Sequence, residues 1–140
     1  MESPARAGFH RQTAVPHCAQ PHAGGRAMPV KVCVFDAYGT LFDVAGAARL
    51  AAEEPGGERL ARIWPALAED WRRKQLEYSW LRAVTGDYVP FWQVTVDGLD
   101  WALERAGVSD AALRDRLLAL YRDLPAYPEV PAMLAALRAA

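Results

Sequence analysis

Asp36 and Thr40 are the two residues of this sequence whose types and spacing most directly suggest chemistry. Asp36 follows the apolar run VKVCVF at residues 30–35, and the small residues Ala37 and Gly39 let the backbone curl so that N–H groups face a bound anion. A carboxylate held in such a turn can act as a nucleophile, and the Thr40 hydroxyl can donate a hydrogen bond to it or to a substrate oxygen. The alternative is that Asp36 only caps the turn.

Arg72 is the second candidate, because it interrupts an apolar stripe on a helical pattern. Ala68 lies four residues before it and Leu76 four residues after it. A positive charge in such a stripe is costly unless an anion meets it. Arg73 and Lys74 differ, since each has an acid four residues earlier and should form a solvated pair. The alternatives for Arg72 are extension into solvent or a pair with the acid three residues before it.

The elements that must position these residues are one strand and several helices. Residues 30–35 are apolar at nearly every position, which is typical of a strand buried on both faces of a parallel sheet. Helical patterns follow, with Pro65 as a break or kink in the second and Ser109 as the cap of the fourth. The predicted helices cover residues 45–54, 58–84 (one helix or two), 90–106, 109–121 and 131–140.

A single strand cannot make a sheet, and a parallel neighbour would need a crossover helix. The pattern therefore leaves two interpretations open. Either the strand prediction is wrong, or the chain is the front part of a larger α/β protein.

The composition is that of an ordinary soluble protein of 140 residues with a formal net charge of −1. This balance gives no electrostatic argument for binding nucleic acid or a membrane surface. Cys18 and Cys33 suggest neither a disulfide framework nor a metal site, so a cytoplasmic protein is expected. Residues 1–29 are acid-poor and contain all three histidines; we interpret them as a disordered leader or a start assigned too far upstream.

Two motifs carry a resemblance to a known family. VFDAYGTLFD at residues 34–43 resembles the first motif of the haloacid dehalogenase superfamily, and most closely that of the L-2-haloacid dehalogenases (haloacid dehalogenase type II). WRRKQLEYSWLR at residues 71–82 resembles a stretch of that family's helical cap. The resemblance runs from Val30 to the end of the chain and leaves the family's later half unmatched, so a truncated protein is expected.

The resemblance implies an α/β fold, a Rossmann-like core with an α-helical cap inserted after the first strand. This chain would contain only that first strand and be mostly α. Residues 30–44 would then be the strand and nucleophile loop, residues 45–125 the cap, and residues 126–140 the return to the core.

The function that the resemblance implies is hydrolysis of (S)-2-haloacids to (R)-2-hydroxyacids through an aspartyl ester on Asp36. Thr40 would orient the nucleophile, and Arg72 would bind the substrate's carboxylate or the departing halide. The main-chain N–H groups of Ala37 and Tyr38 would hold the substrate. No metal or organic cofactor is implied, and a homodimer is possible.

Leu76 and Phe91 match family positions that line the apolar pocket around the substrate's alkyl group. Spacing alone favours ordinary core packing for both. It favours the same for four tryptophans, Trp64, Trp80, Trp92 and Trp101.

Tyr38 separates two reactions of the superfamily. Phosphatases usually have a second Asp at this position, which protonates a poor alkoxide leaving group and belongs to a Mg²⁺ site. Halide departs as a stable anion without a proton, so a tyrosine suits cleavage of a carbon–halogen bond. A Mg²⁺-dependent phosphatase and a non-catalytic helical interaction module remain the alternatives.

Overall fold

The computed structural model describes residues 31–139 of the chain. The chain divides into two units, Met1–Cys33 and Val34–Ala140, and every described helix lies in the second. The predictions for residues 1–29, including the histidines and Cys18, lie outside the described residues. Cys33 is an exposed free thiol.

Six helices form the described part of the second unit. The predicted segment 58–84 is interrupted at residues 62–63, where one helix ends and the next begins. All other helix ends lie within two residues of the predicted ends. None of the helices in residues 31–139 is both long and apolar enough to cross a membrane. The helices are α1 (Gly46–Glu53), α2 (Glu58–Ala61), α3 (Trp64–Thr85), α4 (Phe91–Arg105), α5 (Ala111–Arg122) and α6 (Val130–Ala139).

One predicted helix signal is confirmed and another is corrected. The break predicted near Pro65 is present: residues 62–63 separate α2 from α3, and Pro65 lies in the first turn of α3, where the N–H that proline lacks has no intrahelical partner. Asp110, not Ser109, caps α5: its carboxylate accepts a hydrogen bond from the Leu113 N–H at 3.0 Å.

Close packing of α3 on α4 supports the site. Gly98 of α4 lies so near to α3 that a Cβ added there would be 3.3 Å from the backbone nitrogen of Gln75. The Trp71 indole N–H donates to the Thr95 carbonyl at 2.9 Å, which joins the two helices inside the core. Helix α1 packs on α5, α2 and α3. Helix α3, which carries Arg72, is therefore held against α4 by direct contact.

The core is made of small and branched residues from α1 to α5, with Trp71 and Tyr121 as its largest members. Trp64, Trp92 and Trp101 pack against it while partly exposed, which confirms their expected role. Trp80 is the exception: it is 66% exposed, so its predicted core position is wrong.

The strand predicted at Val30–Phe35 is not confirmed. Lys31–Phe35 have no regular secondary structure, and the Val34 side chain is 91% exposed. A strand needs a neighbour to satisfy its backbone N–H and C=O groups, and the described residues supply none.

The segment after the turn is nevertheless tied to the segment between α5 and α6. The Asp43 N–H donates to the Pro125 carbonyl at 2.9 Å, and the Tyr127 N–H donates to the Leu41 carbonyl at 3.0 Å. Phe42 forms an isolated antiparallel bridge with Ala126. The segment that precedes α1 therefore lies beside the segment that follows α5.

Candidate active site

The turn after Asp36 uses some of its backbone N–H groups internally and leaves others free. The Ala37 carbonyl accepts from the N–H groups of Leu41 and Phe42, each at 2.9 Å, and the Gly39 N–H donates to the Phe42 carbonyl. Gly39 has φ +90°, a conformation that favours glycine. The N–H groups of Ala37 and Tyr38 donate to no described residue. Two adjacent donors therefore remain available beside Asp36.

Asp36 has one carboxylate oxygen held and the other free. The Thr40 hydroxyl donates to Asp36 Oδ2 at 2.9 Å, four residues along the turn. Oδ1 accepts no hydrogen bond from residues 31–139, and the side chain is exposed. This arrangement fixes the direction of the carboxylate while leaving one oxygen able to react.

Arg72 connects the helical region to this turn. Its Nη2 donates to the Tyr38 carbonyl at 3.1 Å, and its Nη1 donates to Gln75 Oε1 at 2.9 Å. Both acceptors are neutral, and Arg72 forms no ion pair with a carboxylate in the described range. It does not pair with the acid three residues before it, so that alternative is wrong, and its side chain is half-buried. Its charge is available to an anion.

The neighbouring cations of α3 behave differently, and their predicted partners are wrong. Arg73 pairs with Asp70 three residues before it, and Lys74 pairs with Glu77 three residues after it at 3.0 Å. Contacts with α4 explain the change: Arg105 also binds Asp70, and Lys74 Nζ lies 4.2 Å from the centre of the Trp101 ring. These two cations have acidic partners, whereas Arg72 has none among the described residues.

Aromatic side chains form a cleft beside the turn. The Tyr38 ring lies 5.2 Å from the Phe91 ring and 6.0 Å from the Tyr121 ring, nearly parallel to the latter at 12°. The cleft has a volume of about 230 Å³. Leu76 is half-buried in α3 and does not line this cleft. Its lining consists of Tyr38, Phe91, Trp92, Thr95, Tyr121 and Arg122.

Three buried polar residues behind Arg72 were missed from the sequence. Gln75 Nε2 donates to Thr95 Oγ1 at 2.7 Å and lies 3.0 Å from the Tyr121 hydroxyl. Burial raises the pKa of Tyr121 despite the opposing effects of the Gln75 hydrogen bond and the Arg72 charge. Only the i,i+3 spacing of Arg72 and Gln75 could have indicated this group. Thr95 and Tyr121 join it through packing of α4 and α5.

Residues 31–139 contain no group of three or more His, Cys, Asp or Glu side chains arranged to hold a metal ion. The polar groups that converge at the site are a carboxylate, a hydroxyl, two backbone N–H groups and a guanidinium. This set can position an anionic substrate against an oxygen nucleophile.

Comparison with known proteins gives a consistent set of relatives, although no family model matches the chain. (S)-2-Haloacid dehalogenase 1 of Pseudomonas sp. (strain CBS-3) is 46% identical over 115 residues, which are 80% of this chain and 48% of that protein. The chain spans about half the length of the curated relatives it matches.

Solved structures show the same similarity. A crystal structure of a dehalogenase matches with a TM-score of 0.68 at 42% identity, covering 76% of this chain and 46% of that one. The L-2-haloacid dehalogenase from Xanthobacter autotrophicus with chloropropionic acid covalently bound matches with a TM-score of 0.59 at 38% identity, covering 73% and 40%. These similarities confirm the resemblance indicated by the two sequence motifs.

Proposed function

We propose, on the premise that this chain is a homologue of the (S)-2-haloacid dehalogenases, that it carries the nucleophile and the anion-binding cation of a hydrolase acting on (S)-2-haloacids. One observation carries the proposal: the hydrogen bond from Arg72 to the Tyr38 carbonyl. This bond ties a cation without a described acidic partner to the turn that begins at Asp36. Anion binding and nucleophilic attack can therefore take place on one small substrate.

In the first step the free Oδ1 of Asp36 attacks C2 of the haloacid from the side opposite the halogen. The new carbon–oxygen bond forms as the carbon–halogen bond breaks, and the halide leaves with both electrons. Thr40 holds Oδ2 and so keeps Oδ1 aimed. The N–H groups of Ala37 and Tyr38 hold the substrate, and Arg72 receives its carboxylate or the departing halide.

In the second step water adds to the Asp36 side-chain carbonyl carbon of the ester. The bond between that carbon and the former Oδ1 of Asp36 breaks, and Oδ1 leaves with a proton from water as the hydroxyl of the (R)-2-hydroxyacid. The carboxylate is restored with one oxygen from water. The structure of a relative with chloropropionic acid covalently bound supports a covalent intermediate in this reaction. The residues that would position the water lie outside the two matched motifs.

Tyr38 supports dehalogenation over phosphate transfer. Its ring packs between Phe91 and Tyr121, so an apolar wall occupies the position where a phosphatase needs a second carboxylate. Halide leaves without a proton, whereas an alkoxide requires a general acid. The names of the relatives favour the same reaction.

We assign Phe91 and Leu76 to the pocket for the substrate's alkyl group. Phe91 lines the cleft beside Tyr38, which supports its assignment. Leu76 follows Arg72 by about one turn of α3 and does not line this cleft, so its assignment depends on the resemblance alone. A short alkyl chain fits a cleft of about 230 Å³.

For the whole protein we propose a Rossmann-like core into which residues 45–125 are inserted as a helical cap. Residues 30–44 would lead out of the core and residues 126–140 back into it. The pairing of Leu41 and Asp43 with Tyr127 and Pro125 supports this division, since it places the two ends of the cap side by side. A homodimer and a cytoplasmic location remain predictions.

The test is halide release from (S)- and (R)-2-chloropropionate, with phosphate release from a small phosphate ester in Mg²⁺ as the comparison. We expect halide from the (S) enantiomer only, lost in Asp36→Asn. Asp43→Asn is the matched control: Asp43 caps the turn before α1 and pairs with Arg49, so its loss should leave halide release close to that of the wild type. Phosphate release without halide release would favour the phosphatase. Release of neither would favour the interaction module.

A further inference from the structure

We propose that Gln75 is a positioning residue that fixes the Arg72 guanidinium, and that Thr95 sets the direction in which the Gln75 amide faces. The proposal rests on the proposed function and adds residues that neither the motifs nor the names of the relatives assign. It concerns how one cation is held, not which reaction follows.

The direction of the amide follows from counting donors. The Thr95 hydroxyl has one proton, and the Phe91 carbonyl of the preceding turn lies 3.0 Å away to accept it. Thr95 Oγ1 must then accept its 2.7 Å hydrogen bond from Gln75. The NH₂ group of the amide therefore faces Thr95, and the oxygen Oε1 faces Arg72 Nη1 at 2.9 Å.

Tyr121 closes the group from α5. Its hydroxyl lies 3.0 Å from Gln75 Nε2 and 3.2 Å from Oε1, while its ring is stacked on Tyr38. Among the described residues, no buried side-chain nitrogen or oxygen lacks a hydrogen-bond partner. The amide thus has protein partners on both of its ends.

Burial makes this arrangement rigid. Gln75 is 1% exposed and Thr95 is fully buried, so water cannot replace their partners. Arg72 itself is only half-buried. Two of its five N–H groups bind Gln75 and Tyr38, and the other three have no acceptor in the described range. A guanidinium held from behind in this way presents its remaining donors in one orientation.

The neutral amide matters as much as its position. A carboxylate at position 75 would also accept from Arg72, but it would neutralise the cation and compete with a substrate anion. Glutamine supplies the acceptor without the charge. Position 75 therefore affects both where the guanidinium lies and how strongly it attracts an anion.

The first measurement needs no catalysis. Slowly exchanging Nη–H signals of Arg72 are recorded by ¹⁵N–¹H NMR in the wild-type chain, assigned by their loss in Arg72→Lys. We expect them to be resolved in the wild type, in Thr95→Ser and in Gln75→Glu. They should broaden in Gln75→Met and in Thr95→Val, which removes the acceptor that orients the amide. Ser79→Ala is the matched control, since it loses only a hydrogen bond to the Gln75 backbone carbonyl.

The second measurement is binding of propionate, a carboxylate without a leaving group. We expect about tenfold weaker binding in Gln75→Met, and a similar loss in Gln75→Glu although its Arg72 signals persist. Thermal unfolding of each variant identifies any that fails to fold. If Gln75→Met does not fold, Thr95→Val is measured in its place.

The outcomes separate the two proposals. Unchanged Arg72 signals in folded Gln75→Met and Thr95→Val would overturn the positioning role even if propionate binds. Equal propionate affinity in Gln75→Glu and the wild type would overturn the role of the neutral amide. Resolved Arg72 signals that depend on Gln75, together with no propionate binding in the wild type, would count against the proposed function and leave the positioning role standing.

Discussion

The α3–α4 interface and the turn after Asp36 treat polar groups in opposite ways. At the interface, Gln75 and Thr95 are buried and their side chains are hydrogen-bonded within the protein. In the turn, the Asp36 carboxylate is exposed, has one bond, and lies next to two N–H groups that bind no described residue. The first region holds the structure together, and the second leaves donors and an acceptor for a ligand.

Arg72 connects the α3–α4 interface to the turn after Asp36. Its helix is packed in the core, its guanidinium rests on the buried Gln75 amide, and its other contact is the Tyr38 carbonyl of the turn. The comparison predicts that substitutions in the core change stability, whereas substitutions in the turn change chemistry.

Leu99→Ala should give the largest loss of stability. Leu99 is fully buried on α4, and removing its side chain leaves a cavity that costs about 2–5 kcal/mol. Denaturant unfolding followed by circular dichroism measures this change. Leu134→Ala, at a position 39% exposed, is the control and should change the free energy of unfolding by about 0.5 kcal/mol or less. Equal losses of unfolding free energy in the two variants would contradict the position of Leu99 in the core.

Asp110→Ala should cost about 1 kcal/mol, because the Leu113 N–H at the start of α5 loses its cap. Ser109→Ala is the matched control and should have little effect, since the described Ser109 side chain makes no capping bond. Thermal or denaturant unfolding distinguishes the two. A larger loss of stability in Ser109→Ala than in Asp110→Ala would show that Ser109 caps α5, as the sequence alone predicts.

Tyr121 should give the smallest effect, visible only at high pH. Its pKa is raised in the folded state, so folding favours the neutral phenol, and this contribution is complete below the unfolded pKa of about 10. Stability should fall as pH rises above that value, by up to about 1.4 kcal/mol for each pH unit.

Tyr121→Phe should reduce this slope without abolishing it, because the pKa of Tyr127 is raised as well. Unfolding measured from pH 8 to 11 in both proteins provides the check. An identical slope in the variant would contradict the buried position of the hydroxyl.

The helices were predictable because their signals are local. Periodicity, Pro90 before α4 and Gly107 after it set the ends of α4 closely. The cap of α5 was not predictable, since Ser109 and Asp110 are adjacent and spacing cannot choose between them. Trp80 also lies on a pattern that resembles a core position, although no helix in the described part of the chain covers it.

The site was predictable where residues are close in sequence and unpredictable where they come from different helices. Asp36 and Thr40 are four residues apart, and the structure joins them by a hydrogen bond. Thr95 and Tyr121 reach Gln75 only through the packing of three helices. The strand at residues 30–35 was predicted from composition, but its formation requires neighbouring strands that no local pattern supplies.

The central claim is that Asp36 forms a covalent bond to carbon and is released by water. Incubating the protein with (S)-2-chloropropionate in H₂¹⁸O over many turnovers, followed by mass spectrometry of the peptide containing Asp36, tests it directly. The account predicts that ¹⁸O accumulates in the Asp36 carboxylate and not in Asp43. Halide release with no label in Asp36 would contradict it, because the water would then have attacked the substrate itself.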